Sequence, residues 1–256
     1  MKILRLLIIT ITVLFIGSTL VLGQVEKEGD NSDSQWIDPA KINSKSKARM
    51  NFDHTTYDFG SIAKGSRVTH NFWFENTGSD TLIITRIKHT CGCTSTRLKG
   101  IVVPPGDRSS IDIVFDSGKF NGRVTKSIKI ECNDPVNPYL DLRFKAVINN
   151  PLQILECSPL QADFQNVQAG TQSKATISLT NVDTTESKLI IVEKPSASFI
   201  KTQLKDDTIK PEATTEIEFI LTDNLEPGQF LTSISIEAEK KPGSRITIPI
   251  IGTIDK

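Results

Sequence analysis

The second half of this chain repeats the first, and that constrains the fold more tightly than any single motif. Asp58-Phe59, Ile62 and Gly65 return as Asp163-Phe164, Val167 and Gly170, each displaced by 105 positions. Phe72-Trp73-Phe74-Glu75-Asn76 returns at the same displacement as Ile177-Ser178-Leu179-Thr180-Asn181. Leu82-Ile83-Ile84 pairs with Leu189-Ile190-Ile191, Pro105 and Ile111 with Pro211 and Ile217, and Gly122, Ile128 and Ile130 with Gly228, Ile234 and Ile236. The run from Phe144 to Ile148 pairs with that from Ile250 to Ile254. A pattern written twice predicts two domains of one architecture.

Inside each unit the apolar period is two. Val68, Phe72 and Phe74 fall on one side of a strand, with Thr69, Asn71, Trp73 and Glu75 on the other. Ile111, Ile113 and Phe115 repeat this, as do Ile128, Ile130 and Cys132, then Leu142, Phe144, Ala146 and Ile148. Strict alternation marks strands with one buried face. Asn76-Thr77-Gly78-Ser79 and Val103-Pro104-Pro105-Gly106-Asp107 supply turns, because Pro fixes φ and Gly admits positive φ. No apolar stripe at helical spacing runs between them. Units of about 100 residues built this way predict an all-β chain of two tandem immunoglobulin-like β-sandwich domains. The expected bounds are 51–149 and 150–256, joined at the short Asn149-Asn150-Pro151. So short a joint predicts domains held end to end rather than swinging freely.

The first fifty residues read differently. Lys2 and Arg5 precede an apolar stretch from Leu6 to Leu22, softened by Thr10, Thr12, Gly17, Ser18 and Thr19. That is the form of a secretory signal peptide spanning 1–23, with cleavage near Gly23. Residues 24–50 are polar and charged and predict a flexible spacer. Trp36 and Ile37 are its one large apolar pair, read either as an exposed dipeptide or as a small docking patch.

Charge narrows the partners. Lys and Arg number 30 and Asp and Glu number 30, so no net field draws in nucleic acid or an anionic membrane. No membrane association is expected beyond the signal segment or a retained N-terminal anchor. The sequence has no Gly-x-Ser-x-Gly elbow, phosphate loop, dinucleotide fingerprint or His-Glu-x-x-His. The expectation is a non-enzymatic exported protein of the periplasm or cell surface, binding an unidentified protein partner.

One constellation could carry chemistry. His89-Thr90-Cys91-Gly92-Cys93 offers an imidazole and two thiols within five positions, and in an extended strand all three would project from one side. Three readings stand: a soft-ligand site for copper or zinc, a Cys91–Cys93 disulfide that staples a loop or switches with redox state, or buried thiols packed between sheets. Cys132 and Cys157 read as core positions, with a bridge between them as the alternative. Trp73 points away from Phe72 and Phe74, so it is a surface anchor for a partner or part of the contact between domains. His70 reads as a hydrogen-bonded core or edge residue, and His54 has no evident partner.

The first unit resembles a bacterial family known as domain of unknown function 1573. The resemblance rests on Tyr57-Asp58-Phe59-Gly60, Ile62, Gly65, Asn76-Thr77-Gly78, Cys91-Gly92-Cys93-Thr94, Pro104-Pro105-Gly106 and Phe115-Asp116, in that order. Asn133-Asp134-Pro135 with Asn137-Pro138 is similar to a turn of the wider Hydin-like and major-sperm-protein-like immunoglobulin group. The resemblance implies a sandwich fold and an exported setting; it implies no activity. The second unit has Lys194-Pro195-Ser196-Ala197 where Cys91 to Thr94 would fall, so the cysteine chemistry belongs to the first domain alone.

Overall fold

A computed structural model describes residues 45–222 and 225–255. The expected signal segment 1–23, Trp36 and the spacer up to residue 44 lie outside the described residues. Among those described there are strands and turns and no helix. The first nine strands are β1 (Met50–Phe52), β2 (Thr56–Ile62), β3 (Arg67–Asn76), β4 (Leu82–His89), β5 (Thr94–Leu98), β6 (Val102–Val103), β7 (Arg108–Asp116), β8 (Gly122–Cys132) and β9 (Tyr139–Ile148). The second nine are β10 (Leu155–Ser158), β11 (Ala162–Gln168), β12 (Lys174–Asn181), β13 (Ser187–Glu193), β14 (Ile200–Leu204), β15 (Thr208–Ile209), β16 (Thr214–Leu221), β17 (Gly228–Ala238) and β18 (Ile246–Asp255).

The two sets build the two sandwiches that the repeat predicts. In the first, a sheet ordered β1-β3-β7-β5 packs over strands β2-β9-β8-β4-β6. In the second, β10-β12-β16-β14 packs over β15-β13-β17-β18 with β11. Alternation explains which side chains go inward: Val68, Phe72 and Phe74 of β3 are fully buried, as are Ile111, Ile113 and Phe115 of β7. The first core is rich in rings, with Phe144 edge-on to Phe59 at 5.6 Å and tilted against Phe115 at 5.2 Å. Such ring pairs add to the burial term. The second core replaces most of them by Ile and Leu, including Ile177, Leu179, Ile217, Ile234 and Ile236.

The first sandwich begins earlier than the apolar pattern shows. Ala48 and Met50 lie in its core, ahead of the expected start at Asn51. The chain there is tied by Thr77 N–H to Arg49 O and by Ser79 N–H to Lys47 O. A side chain on Gly78 would put a Cβ 2.1 Å from Lys47 O, so glycine is what lets that turn and segment lie together. Lys47 and Arg49, on either side of Ala48, hide this segment in the sequence.

One polar device appears in both copies. Asn76, wholly buried, donates through Nδ2 to Asp80 O and Val103 O, and its Oδ1 accepts from Gly78 N–H. Asn181 does the same with Thr185 O, Ile209 O and Asp183 N–H. Each amide thereby joins its own turn to the two-residue strand beside it, and a buried amide must be satisfied in this way. The ladders also correct the repeat. Leu82 pairs with Val103, and Ser187 pairs with Ile209, so Leu82 corresponds to Ser187 and Ile84 to Leu189. Matching Leu82 to Leu189 slips the register by two. A period of two looks the same after such a slip; hydrogen bonds do not.

The sandwiches meet edge to edge. Ser61 of β2 pairs with Ile246 of β18 in parallel, so strands of both domains form one ten-stranded sheet. Ser61 N–H donates to Arg245 O at 2.7 Å, Arg245 Nη1 donates to Asp58 O, and Thr247 Oγ1 donates to Phe59 O. The approach depends on Gly60. Its φ is +66°, and a Cβ there would lie 2.2 Å from Arg245 O, a backbone atom that cannot step aside. Gly65 has a similar φ of +82° with open space around it. Gly65→Ala should therefore show only the left-handed strain of about 1 kcal/mol, whereas Gly60→Ala should lose about 2–4 kcal/mol. Urea unfolding of both variants checks this ordering; equal losses would disprove the role given to the junction.

Candidate functional site

Above the junction the domains leave a cleft of about 580 Å³. One wall is the outer face of the first domain's four-stranded sheet. Cross-strand register sets it out in rows: Asn71, Asp112 and Arg97, then Thr69, Val114 and Ser95. The facing wall comes from β11, β17 and β18, with Asp163, Gln165, Gln229 and Phe230. Asp112 is held by Asn71 Nδ2 and Ser110 Oγ, and Asp163 accepts from Gln161 and Gln165. Arg67 and Arg97 are exposed on the first wall, and among the described residues neither guanidinium has an ion-pair or hydrogen-bond partner. Trp73 continues the same face beyond Asn71, half-buried, with Lys99 Nζ 4.5 Å above its ring.

The closed end of the cleft is a polar seam. Thr69 N–H donates to Ser233 Oγ at 2.9 Å. Beside it His70, 3% exposed, sits 2.8 Å through Nδ1 from Glu193 Oε1 of the second domain and 2.9 Å through Nε2 from His54 Nε2. A carboxylate only accepts, so Nδ1 of His70 carries hydrogen, and a single proton lies between the two Nε2 atoms. Tyr57 stacks on His70 at 3.6 Å, and its hydroxyl joins Ser235 Oγ at 2.7 Å, which joins Thr247. Burial and the nearby Glu193 carboxylate push the Tyr57 phenol far above its usual range. Burial, then repulsion from His70, lowers the affinity of His54 for a proton. His70 is the hydrogen-bonded residue expected, but His54 does have a partner. Its separation of sixteen residues from His70 and the second domain's carboxylate left no local signal. Paired polar positions on β2, β3 and β13 could be recognised only once the domains were docked.

The cysteine turn lies between β4 and β5. Cys91 and Cys93 are joined as a disulfide with Cα atoms 5.3 Å apart. Thr94 Oγ1 lies 3.8 Å from both sulfurs. Strand β4 ends at His89, so His89 does not share an extended face with the cysteines; its Nε2 meets Thr96 Oγ1 at 3.1 Å. Sulfurs bonded to one another offer no thiolate ligand, and among the described residues no three His, Cys, Asp or Glu side chains gather to hold a metal ion. Cys132 is buried and Cys157 half-buried, both as free thiols in separate cores. Burial pushes each thiol up to about 11.

Because His54 binds a proton less readily folded than unfolded, the unfolded chain takes up that proton first as pH falls. The stability His54 contributes is present above the ordinary imidazole value of 6.5 and is lost as pH falls through its lower folded value. His54→Gln should flatten the decline in midpoint denaturant concentration between about pH 7 and pH 5. An unchanged slope in that variant would refute the assignment.

Residues 50–148 match the family described as Protein of unknown function (DUF1573), and residues 152–250 match the family described as Flagellar-associated PapD-like. No curated protein matches the chain. A solved protein of unknown function from Porphyromonas gingivalis W83 is 12% identical over 80% of this chain and 99% of its own, with a TM-score of 0.34. The N-terminal Ig1-2 module of the Drosophila receptor protein tyrosine phosphatase DLAR is 10% identical over 82% and 100%, with a TM-score of 0.37. The PapD-like domain 7 of human CEP192 is 13% identical over 46% and 95%, with a TM-score of 0.33. Likenesses of this size carry no argument about function. The first sandwich is thus similar to the DUF1573 family and the second to the PapD-like one.

Proposed function

We propose that this chain is an exported, non-enzymatic interaction protein of the periplasm or cell surface, and that it holds a protein partner in the cleft between its two sandwiches. The carrying observation is the cleft itself, with Arg67 and Arg97 presented on one wall and unpaired among the described residues. An arginine left without an internal partner is available to carboxylates or carbonyls of an incoming chain. Trp73 extends that face with a large ring, the residue type that anchors interfaces. Two further features support export: the apolar stretch after Lys2 and Arg5, and a disulfide, which persists outside the cytosol.

The test is affinity capture from the exported fraction of the source cell with the full chain as bait, followed by binding measurement on the captured protein. Arg67→Glu with Arg97→Glu should weaken that binding by at least about tenfold, with an unchanged unfolding midpoint. Trp73→Ala should weaken it further. Binding that is indifferent to all three changes, or a measurable turnover of the captured molecule, would overturn the proposal.

A further inference from the structure

We propose that the Cys91–Cys93 disulfide is a thiol-exchange site that accepts two electrons from a dithiol, with Thr94 as the positioning residue for its departing sulfur. This is independent of what the cleft holds.

The bond does little as a staple. Only Gly92 separates the two cysteines, and the chain entropy a cross-link removes grows with the length of the loop it closes, so a loop this short gives the least. The strands on either side are already fixed. His89 pairs with Ile128, and Thr94 pairs with Phe115. Thr90 N–H donates to Ser127 O, and Asp116 N–H donates to Cys93 O. The second domain supplies the control. Its corresponding connection, between β13 and β14, has no cysteine and is held by Ser196, whose N–H donates to Thr232 Oγ1 and whose hydroxyl meets the same atom. The architecture closes this corner with ordinary hydrogen bonds.

The surroundings suit exchange. Cys91 and Cys93 are half-buried rather than enclosed, and Gly92 between them is exposed with open space where a Cβ would stand. A thiolate can therefore approach from the Gly92 side. The two sulfurs are not equivalent: Cys93 packs against the core and its carbonyl is tied to β7, whereas Cys91 has no such packing. The Thr94 hydroxyl, on a residue 7% exposed, is 3.8 Å from each sulfur. Its hydrogen can turn to whichever sulfur gains charge. Cys132 and Cys157 sit in separate cores, so the pair acts alone.

In the step, one thiolate of an external dithiol attacks Cys91 Sγ. A new bond forms between the external sulfur and Cys91, and the Cys91–Cys93 bond breaks. Cys93 leaves as a thiolate, accepts the hydrogen bond from Thr94 Oγ1–H, and takes a proton from solvent. The second thiolate of the dithiol then attacks its own linked sulfur and expels the Cys91 thiolate, which is protonated in turn. The dithiol is oxidised to a disulfide, and the protein is reduced to two thiols.

The experiment treats the folded full chain with dithiothreitol, and separately with mercaptoethanol, then quenches with acid and maps modified cysteines by mass. The expected result is reduction with the circular dichroism spectrum intact and the unfolding midpoint within about 2 °C of the oxidised protein. Mercaptoethanol should be found on Cys91. Thr94→Val should slow reduction about tenfold, and Thr94→Ser should restore it. Reduction that occurs only on unfolding, adducts on Cys93, or a Thr94→Val rate equal to that of the wild type would each overturn the proposal.

Discussion

The hydrogen bond from Ser61 N–H to Arg245 O, 2.7 Å long, sets the rest of the molecule in place. It forms because β2 bulges between Asp58 and Ser61, which frees a stretch of backbone from β9 and turns it toward β18. The bulge needs a residue at positive φ with no side chain, and Gly60 meets both demands. Once the two edges join, Thr69 and His70 are carried against Ser233 and Glu193. The cleft is then the space left between the outer face of one sheet and the facing strands of the other. Two domains connected only by residues 149–154 would otherwise have few reasons to share an orientation.

Within that frame the two copies have diverged in opposite ways. The buried amides of Asn76 and Asn181 are kept with equivalent partners, because a buried amide that loses a partner leaves others unsatisfied as well. Apolar positions are freer. Phe72 and Phe74 become Ile177 and Leu179 without change of strand or face, since volume can be redistributed across a core. The first domain keeps rings and the disulfide. The second domain keeps Phe164 in the place of Phe59, loses the other matching rings named above and the disulfide, and still closes its sandwich.

The sequence made the fold legible to a large extent, for a physical reason. One-sided burial writes a period of two into β3, β7, β8 and β9, and a repeat at fixed displacement doubles the signal. What it hid was of two kinds. Leu82 could be matched two residues out of step because apolar alternation is blind to that shift. The partnership of His54, His70, Tyr57 and Glu193 was invisible because the first three meet across strands of one domain and Glu193 joins them from the other, so neither spacing nor composition carries the information. Cys91 and Cys93 lie between these cases. Their proximity was plain, but their state was not: closing the bond depends on how the turn after β4 bends, and a strand continued past His89 would have held them apart.

A sheet of ten strands is a hazard if its borders are long, since unpaired backbone there invites a second molecule. The path through it ends at β6 and β15, two residues each, where a foreign strand would find few amides and carbonyls to hold it. The seven-residue β11 is different: it branches from β18 and is paired on one side alone. Any outward growth of this shared layer would therefore begin at β11, or at the parts of β4 and β13 that the two short strands leave uncovered.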